Sequence, residues 1–146
     1  GGGINHRMGL DYSAMLKENH IAWAHNIESA IAKIRDSSPW PTRIIVEAET
    51  PQQAEEAIRG GTDGILLDDM SIEVIRSIVP QLRELAKADL PKRTSTQIVI
   101  EVSGIDPSQL KNYASTGIDI ISTSAPITKS SWIDFSMRFT KSISKK

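Results

Sequence analysis

The feature that most constrains the fold of this 146-residue sequence is its alternation of short apolar runs with helical stretches. Each run is rich in Ile, Val and Leu, and is followed by a segment with helical or amphipathic spacing. Strands that are apolar throughout are typical of parallel sheets covered by helices. The pattern predicts an α/β fold of parallel βα units, either a small open sheet or part of a TIM-like barrel. The predicted strands are 43–49, 64–68, 97–102 and 118–122.

Start and stop signals locate the helices between these strands. Thr50 is a predicted N-cap, Pro51 occupies the first helical position, and Gln53 is placed to complete a capping box. Asp11 is a candidate N-cap for an earlier helix, after a Gly-Leu turn. The predicted helices are 12–19, 27–35, 52–59, 72–87 and 108–115, with an amphipathic segment at 132–139.

Composition excludes several classes of function. Seventeen Lys and Arg against eighteen Asp and Glu give a formal net charge of −1. The chain therefore has no net positive charge that would attract a nucleic acid. The absence of cysteine excludes disulfide scaffolds, thiolate metal sites and thiol catalysis. No apolar run approaches the roughly 18 residues of a membrane span. We expect a cytoplasmic protein with neither nucleic acid nor membrane as its partner.

Two acids stand at the ends of consecutive predicted strands. If the strands of Glu47 and Asp68 pair directly, the strands lie about 5 Å apart. Two carboxylates this close repel each other unless they share a proton or a cation lies between them. Hard oxygen ligands without His or Cys favour Mg²⁺, which binds one or two carboxylates together with substrate phosphates. The alternative is that one of these acids only caps a following helix.

A basic cluster follows the opening glycines. His6 and Arg7 come first, and Lys17 follows about one to three helical turns later. Arginine offers a bidentate fork to a carboxylate and lysine a point charge, so the cluster could bind an anion. The alternative is that all three are ordinary solvated side chains.

Small polar loops follow the last two predicted strands. Ser103-Gly104 and Ser124-Ala125 would let backbone N–H groups approach a phosphate at the start of a helix. Paired loops after the last strands are the usual phosphate site of a βα barrel. Ordinary Ser-rich turns are the alternative. Taken in order, these signals suit a phosphorylated, Mg²⁺-bound sugar beside an anionic partner.

The opening pattern GGG-x-x-HR-x-GL followed by LK-x-NHI is specific. Further distinctive segments are Val46-Glu47-Ala48-Glu49-Thr50, Ile65-Leu66-Leu67-Asp68-Asp69-Met70, Glu101-Val102-Ser103-Gly104, Gly117-Ile118-Asp119 and Ile133-Asp134-Phe135-Ser136. In these segments, which stand in family order over essentially the whole chain, the sequence resembles the quinolinate phosphoribosyltransferases, the carboxylating nicotinate-nucleotide pyrophosphorylases.

The resemblance implies an enzyme that moves phosphoribose from phosphoribosyl pyrophosphate to quinolinate. Loss of a ring carboxylate as CO₂ would give nicotinate mononucleotide and pyrophosphate on the route to NAD. The family also implies a homodimer or higher homo-oligomer whose subunits share the active site. The implied roles are quinolinate binding by His6, Arg7 and Lys17; contact with ribose and Mg²⁺-pyrophosphate by Glu47 and Asp68; and 5′-phosphate binding by Ser103, Gly104, Ser124 and Ala125. Lys17, Glu47 and Asp68 would be the catalytic residues.

The resemblance also sets the domain prediction and its alternatives. Residues 1–146 would be the C-terminal part of the barrel domain, with the N-terminal domain and first barrel strands absent, so we do not expect turnover by this chain alone. The phosphate loops depart from the family pattern, because Gly104 lacks its usual second glycine, Ser124 replaces a glycine and Lys129 a histidine. A relative with another substrate or a transport-associated role is therefore one alternative. A non-catalytic anion-binding domain is the other.

Overall fold

The computed structural model describes residues 2–88 and 97–138 and contains a five-stranded, all-parallel sheet. The spatial order of the strands follows the chain, and each strand pairs with the next in parallel register. This confirms the predicted α/β class of parallel βα units. The strands are β1 Ala14–Leu16, β2 Ile44–Ala48, β3 Gly64–Asp68, β4 Val99–Ser103 and β5 Ile120–Ile121.

Side-chain caps mark the start of two helices, one of them predicted from the sequence. Asn26 accepts a hydrogen bond from the Ser29 backbone N–H at 2.7 Å. Thr50 and Gln53 form the predicted reciprocal capping box, with Pro51 in the first turn. The helices are α1 Glu18–Ala24, α2 Ile27–Ser37, α3 Pro51–Arg59, α4 Ile72–Ala88, α5 Leu110–Ala114, which a 3₁₀ turn at Pro107–Gln109 precedes, and α6 Ala125–Thr128.

The two faces of the sheet differ. Alternate residues such as Ile44, Val46 and Ile100 are fully buried in one core with apolar residues of α2, α3 and α4. The intervening residues form the opposite face, here called the inner face, on which Val99 and Ile120 remain partly exposed. Strands in chain order with helices on one face describe an arc of a barrel. A doubly wound sheet would instead carry helices on both faces.

The predicted helix at 12–19 is wrong. The segment contains β1, whose Ala14 N–H donates to the Arg43 carbonyl at 2.9 Å, and α1 begins only at Glu18. Ala, Met, Leu and Lys all favour helices, so the local signal is genuine. Pairing with β2 and burial of Leu16 outweigh that local preference.

The C-terminal predictions also need correction. Strand β5 spans only two of the five residues predicted, and α5 is shortened by the 3₁₀ turn before it. Residues 131–138 carry no regular secondary structure; Phe139 lies outside the described residues. Ile133, Phe135 and Met137 are exposed, and their spacing of two residues is that of a strand rather than a helix.

Candidate functional site

Polar side chains gather on the inner face where the parallel strands end. Glu47 in β2 is in register with Leu66, which is in register with Glu101 in β4. Two residues further along β3 and β4, Asp68 is in register with Ser103. Residues in register on parallel strands point to the same face, so these side chains form two adjacent rows. The edge is the one at which parallel α/β folds place their sites.

Lys17 and Glu47 form a close ion pair across β1 and β2. The Lys17 ammonium lies 2.5 Å from Glu47 Oε2, with 46% of the lysine and 10% of the glutamate side chain exposed. His20 fixes the turn, because its Nδ1 accepts from the Lys17 backbone N–H at 3.1 Å. The hydrogen bond to Glu47 raises the pKa of Lys17 above 10.5, against the effect of burial. The charges of Glu47, Glu18 and Asp68 also raise it.

We expect the Lys17–Glu47 pair to stabilise the protein equally across neutral pH. A lysine pKa that folding raises gives stability that is complete below the unfolded value, 10.5, and is lost as pH rises through the folded value. The Tm difference between the native protein and Lys17→Met should be constant from about pH 6 to 9 and shrink at higher pH. Because the pair is partly exposed, it should contribute at most about 1 kcal/mol. Lys33→Met, on the surface of α2, is the control; a difference that grows above pH 10.5 would contradict the assignment.

Asp68 and Ser103 join the ends of β3 and β4. Ser103 Oγ donates to Asp68 Oδ1 at 2.5 Å. Gly104 follows with φ +71°, and a Cβ there would lie 3.0 Å from Asp69 N and 3.2 Å from its Cα. Glycine is therefore required for this turn to pack against the preceding strand end. This packing gives Gly104 a structural reason in addition to its predicted contact with phosphate.

A cleft of about 1210 Å³ runs along the inner face. Arg7 and the trio Lys17, Glu47 and Asp68 are not among the described residues that line it. Arg7 instead donates to the Ser13 carbonyl at 3.4 Å. The lining includes five predicted site residues, His6, Ser103, Gly104, Ser124 and Ala125, and also Glu101, Ser122 and Lys129. The structure thus gathers the predicted residues, except Arg7, into a cleft and an adjoining strand-end cluster.

Glu101 is a feature of the site that sequence reasoning did not assign. It is 5% exposed, and both of its carboxylate oxygens lie near His6 Nε2, at 3.0 and 3.2 Å. Ser122 Oγ also donates to Glu101 Oε1. The available signal was an acid inside an apolar strand, since a buried carboxylate requires hydrogen-bonding partners.

The predicted Mg²⁺ site depends on the donor atoms that the described residues bring together. Within residues 2–88 and 97–138 no group of three or more His, Cys, Asp or Glu residues could hold a metal ion. The carboxylates of Glu47 and Asp68 stand at the ends of adjacent strands and supply only oxygen donors, which is compatible with Mg²⁺ completed by substrate oxygens. None of the described helices is long and apolar enough to span a membrane.

Comparison with known proteins decides the family. The family model described as quinolinate phosphoribosyl transferase, C-terminal domain, matches residues 1–138. The chain belongs to the quinolinate phosphoribosyl transferase family. A probable carboxylating nicotinate-nucleotide pyrophosphorylase of Synechocystis sp. is 38% identical over 142 residues, 97% of this chain and 45% of the relative. The corresponding protein of Methanothermobacter thermautotrophicus is 41% identical, over 84% of this chain and 42% of the relative.

Solved structures of the family agree with the fold. The crystal structure of nicotinate-nucleotide pyrophosphorylase from Ehrlichia chaffeensis superposes with a TM-score of 0.74 at 31% identity. The match covers 88% of this chain and 42% of that structure. The chain spans about half the length of the curated relatives it matches. The family and the fold are therefore established, while the domain bounds 1–146 stay a prediction.

Proposed function

We propose that this protein transfers phosphoribose from phosphoribosyl pyrophosphate to quinolinate with loss of CO₂, giving nicotinate mononucleotide and pyrophosphate for NAD synthesis. The observation that carries the proposal is the placement of the ion pair Lys17–Glu47 and the pair Asp68–Ser103 at one edge of the sheet. Beside them lies a cleft lined by His6, in a chain that matches this family over residues 1–138. A cation, two acids and small polar groups are the chemistry that this reaction requires.

Cationic groups would bind the two carboxylates of quinolinate. Lys17 is suited to this because its raised pKa keeps the ammonium charged throughout the neutral range. His6 and Arg7 would supply the remaining donors, and Arg7 would have to exchange its contact with the Ser13 carbonyl for the ligand. Fixing both carboxylates would turn the ring nitrogen toward the anomeric carbon of the ribose. This positioning removes orientational freedom that the free reactants would otherwise lose in the transition state.

Glu47 and Asp68 would act on the sugar. As the bond from the anomeric carbon to pyrophosphate breaks, positive charge develops on the ribose, and carboxylates fixed in advance stabilise that charge. Lys17 limits the mutual repulsion of the two acids, since its ammonium lies 2.5 Å from Glu47. The same carboxylates would hold Mg²⁺, which when bound neutralises charge on the pyrophosphate. Once the ring nitrogen has bonded to the anomeric carbon it carries a positive charge, which favours departure of the adjacent carboxylate as CO₂ and its replacement on the ring by a proton from solvent.

The 5′-phosphate would bind in the cleft itself. Ser103, Gly104, Ser124 and Ala125 all line it, and offer hydroxyl and backbone groups without bulky side chains. Lys129 lines the same cleft and adds a cation there. Ser124 Oγ lies 3.4 Å from Thr128 Oγ1, so a bound phosphate would have to reorganise this contact.

A homodimer and a cytoplasmic location are part of the same proposal. Apolar side chains of Trp132, Ile133 and Phe135 are largely exposed in the described part of the chain. Exposed apolar groups of this size are typical of surfaces that another chain or segment covers. A partner subunit is consistent with that exposure.

The proposal is tested on the full protein as its gene encodes it. With Mg²⁺, quinolinate and phosphoribosyl pyrophosphate, we expect pyrophosphate, CO₂ and nicotinate mononucleotide in equal amounts, and no pyrophosphate when either substrate is omitted. Nicotinate is the matched control, because it lacks the carboxylate that is lost. Calorimetric binding of quinolinate without product would support a non-catalytic binding domain. Pyrophosphate release with another pyridine acid but not with quinolinate would support a family relative that uses a different substrate.

A further inference from the structure

Lys17 is the residue that joins strand β1 to helix α1. The parallel pairing of β1 with β2 ends at Leu16 and Val46, so Lys17 is the first residue beyond it. The backbone of Lys17 is extended, and its carbonyl accepts from the N–H groups of His20 at 2.9 Å and Ile21 at 3.1 Å. The first turn of α1 thus holds the carbonyl, while the N–H of Lys17 needs a partner of its own.

His20 supplies that partner from the first turn of the helix. Its Nδ1 accepts a hydrogen bond from the Lys17 backbone N–H at 3.1 Å. A ring nitrogen that accepts carries no proton, so the proton of the neutral imidazole is on Nε2. The contact is one half of a capping box, in which the side chain at the third helical position bonds back to the N-cap backbone. Glutamate or glutamine usually fills that position, because the position requires an acceptor.

Both backbone polar groups of Lys17 are therefore held, and this determines where its side chain begins. The ammonium reaches Glu47 Oε2 at 2.5 Å. Lysine has a flexible four-carbon stem, and 46% of this side chain is exposed. The position of the ammonium therefore depends on a fixed backbone as well as on the Glu47 carboxylate.

We propose that His20 is a positioning residue for quinolinate: by accepting from the Lys17 backbone, it holds the Lys17 ammonium beside Glu47, where the ammonium meets a carboxylate of the ligand. The inference rests on the proposed function for the identity of that ligand. His20 acts through Lys17 and does not itself contact quinolinate. The role belongs to the acceptor at Nδ1 and does not require an imidazole.

The test compares His20→Ala with His20→Gln in the full protein. Alanine favours the helix but removes the acceptor, whereas the amide oxygen of glutamine can accept from the Lys17 N–H as in an ordinary capping box. The KM for quinolinate should rise about threefold to tenfold in His20→Ala, which corresponds to the net contribution of one hydrogen bond. It should rise less than about twofold in His20→Gln, and the KM for phosphoribosyl pyrophosphate should change less than about twofold in both variants.

NMR titration of the Lys17 ammonium gives a second readout that does not depend on activity. The hydrogen bond to Glu47 raises the pKa of Lys17 above 10.5. In His20→Ala the ion pair should loosen, so the pKa of Lys17 should move back toward 10.5, and His20→Gln should restore the native value. An unchanged Lys17 pKa in His20→Ala, an unchanged KM for quinolinate, or equal losses in both variants would each overturn the inference.

Asn26→Ala is the matched control, because it removes a side-chain cap from another helix. The Asn26 side chain accepts from the Ser29 backbone N–H at 2.7 Å at the start of α2. Loss of this cap should lower the Tm, as loss of the His20 contact does, but leave the KM for quinolinate and the pKa of Lys17 unchanged. A rise in KM equal to that of His20→Ala would mean that lost stability alone accounts for the effect, which contradicts positioning.

A second variant covers a failure of His20→Ala to fold. His20→Met keeps a large, helix-forming side chain with only a weak acceptor, and the same losses are expected from it. If the native full protein releases no pyrophosphate from quinolinate, the proposed function fails. The Lys17 titration still tests whether His20 holds the ammonium, so the two failures can be told apart.

Discussion

Replacing Asp68 with asparagine is expected to lower kcat for pyrophosphate release by roughly a hundredfold to a thousandfold, the usual cost of removing one fixed electrostatic partner of a transition state. Asparagine keeps the size of the side chain and an oxygen that can accept from Ser103, whose hydroxyl lies 2.5 Å from Asp68. The fold should therefore persist while the negative charge is lost. Because this charge acts mainly when the ribose becomes cationic, kcat should fall more than KM changes.

The neighbouring acid supplies a matched control for this experiment. Asp69 is exposed and has φ +51°, a conformation that asparagine adopts readily, so Asp69→Asn should preserve the turn. Steady-state pyrophosphate release by both variants of the full protein gives the comparison. Equal kcat values for the two variants would remove Asp68 from the chemistry. A large rise in the KM for phosphoribosyl pyrophosphate at constant kcat would instead assign Asp68 to ground-state binding.

The parts of the fold that the sequence predicts well are those with signals at both ends. Strand β3 has the predicted bounds, Gly64–Asp68, because a continuous apolar run lies between a glycine and an acid. Helix α3 begins where Thr50 and Gln53 predict it. Strand β1 was missed because its three residues are good helix formers, and only pairing with β2 makes them a strand. Local preference cannot report a partner 30 residues away.

The site shows the same division. Asp68 and Ser103 could be predicted to lie together, because parallel topology alone brings consecutive strand ends to one edge. The contact of His6 with Glu101 could not, since the two residues are 95 positions apart and belong to a loop and a strand interior. A buried acid in an apolar strand predicts that a hydrogen-bonding partner exists, but the sequence does not identify that partner.

The second large effect concerns stability and begins with Asp63, at the entry to β3. Its Oδ2 accepts from the Ile44 backbone N–H at 2.8 Å and from Arg35 Nη1 at 3.0 Å. Arg35, from α2, also donates to the Gly61 carbonyl at 2.8 Å. Only 2% of the Asp63 side chain is exposed. Asp63 and Arg35 together thus connect a helix, a strand and the turn that precedes β3.

The entry to β5 repeats this arrangement nearer the surface. Asp119 accepts from the Ile100 backbone N–H at 2.8 Å and from Arg83 Nη2 at 2.9 Å. Arg83, from α4, also donates to the Gly117 carbonyl at 2.8 Å. The Asp119 side chain is 31% exposed. The two clusters therefore have the same chemistry and differ chiefly in solvation.

We expect Asp63→Ala to lower the free energy of unfolding by about 3–5 kcal/mol, because it leaves the Arg35 charge without its carboxylate and a buried N–H unsatisfied. Asp119→Ala should cost less, about 1–2 kcal/mol, since Asp119 is 31% exposed and water can take the place of its carboxylate beside Arg83 and the Ile100 N–H. Urea unfolding of the full protein, with unchanged m-values, measures both. Asp36→Ala, an exposed acid beside Arg35 on α2, is the control and should change stability by less than about 0.5 kcal/mol.

The salt dependence of the two effects tests whether burial of the carboxylate accounts for their difference. Raising ionic strength from about 0.1 M to 1 M shortens the screening length from about 10 Å to 3 Å, which weakens exposed pairs far more than buried ones. The cost of Asp119→Ala should therefore shrink in high salt, while the cost of Asp63→Ala should persist. If the two variants lower the free energy of unfolding equally at low salt, or if salt reduces both effects equally, solvation does not distinguish the two clusters. The contribution of each cluster to stability would then depend on the shared hydrogen-bond geometry rather than on how deeply the carboxylate is buried.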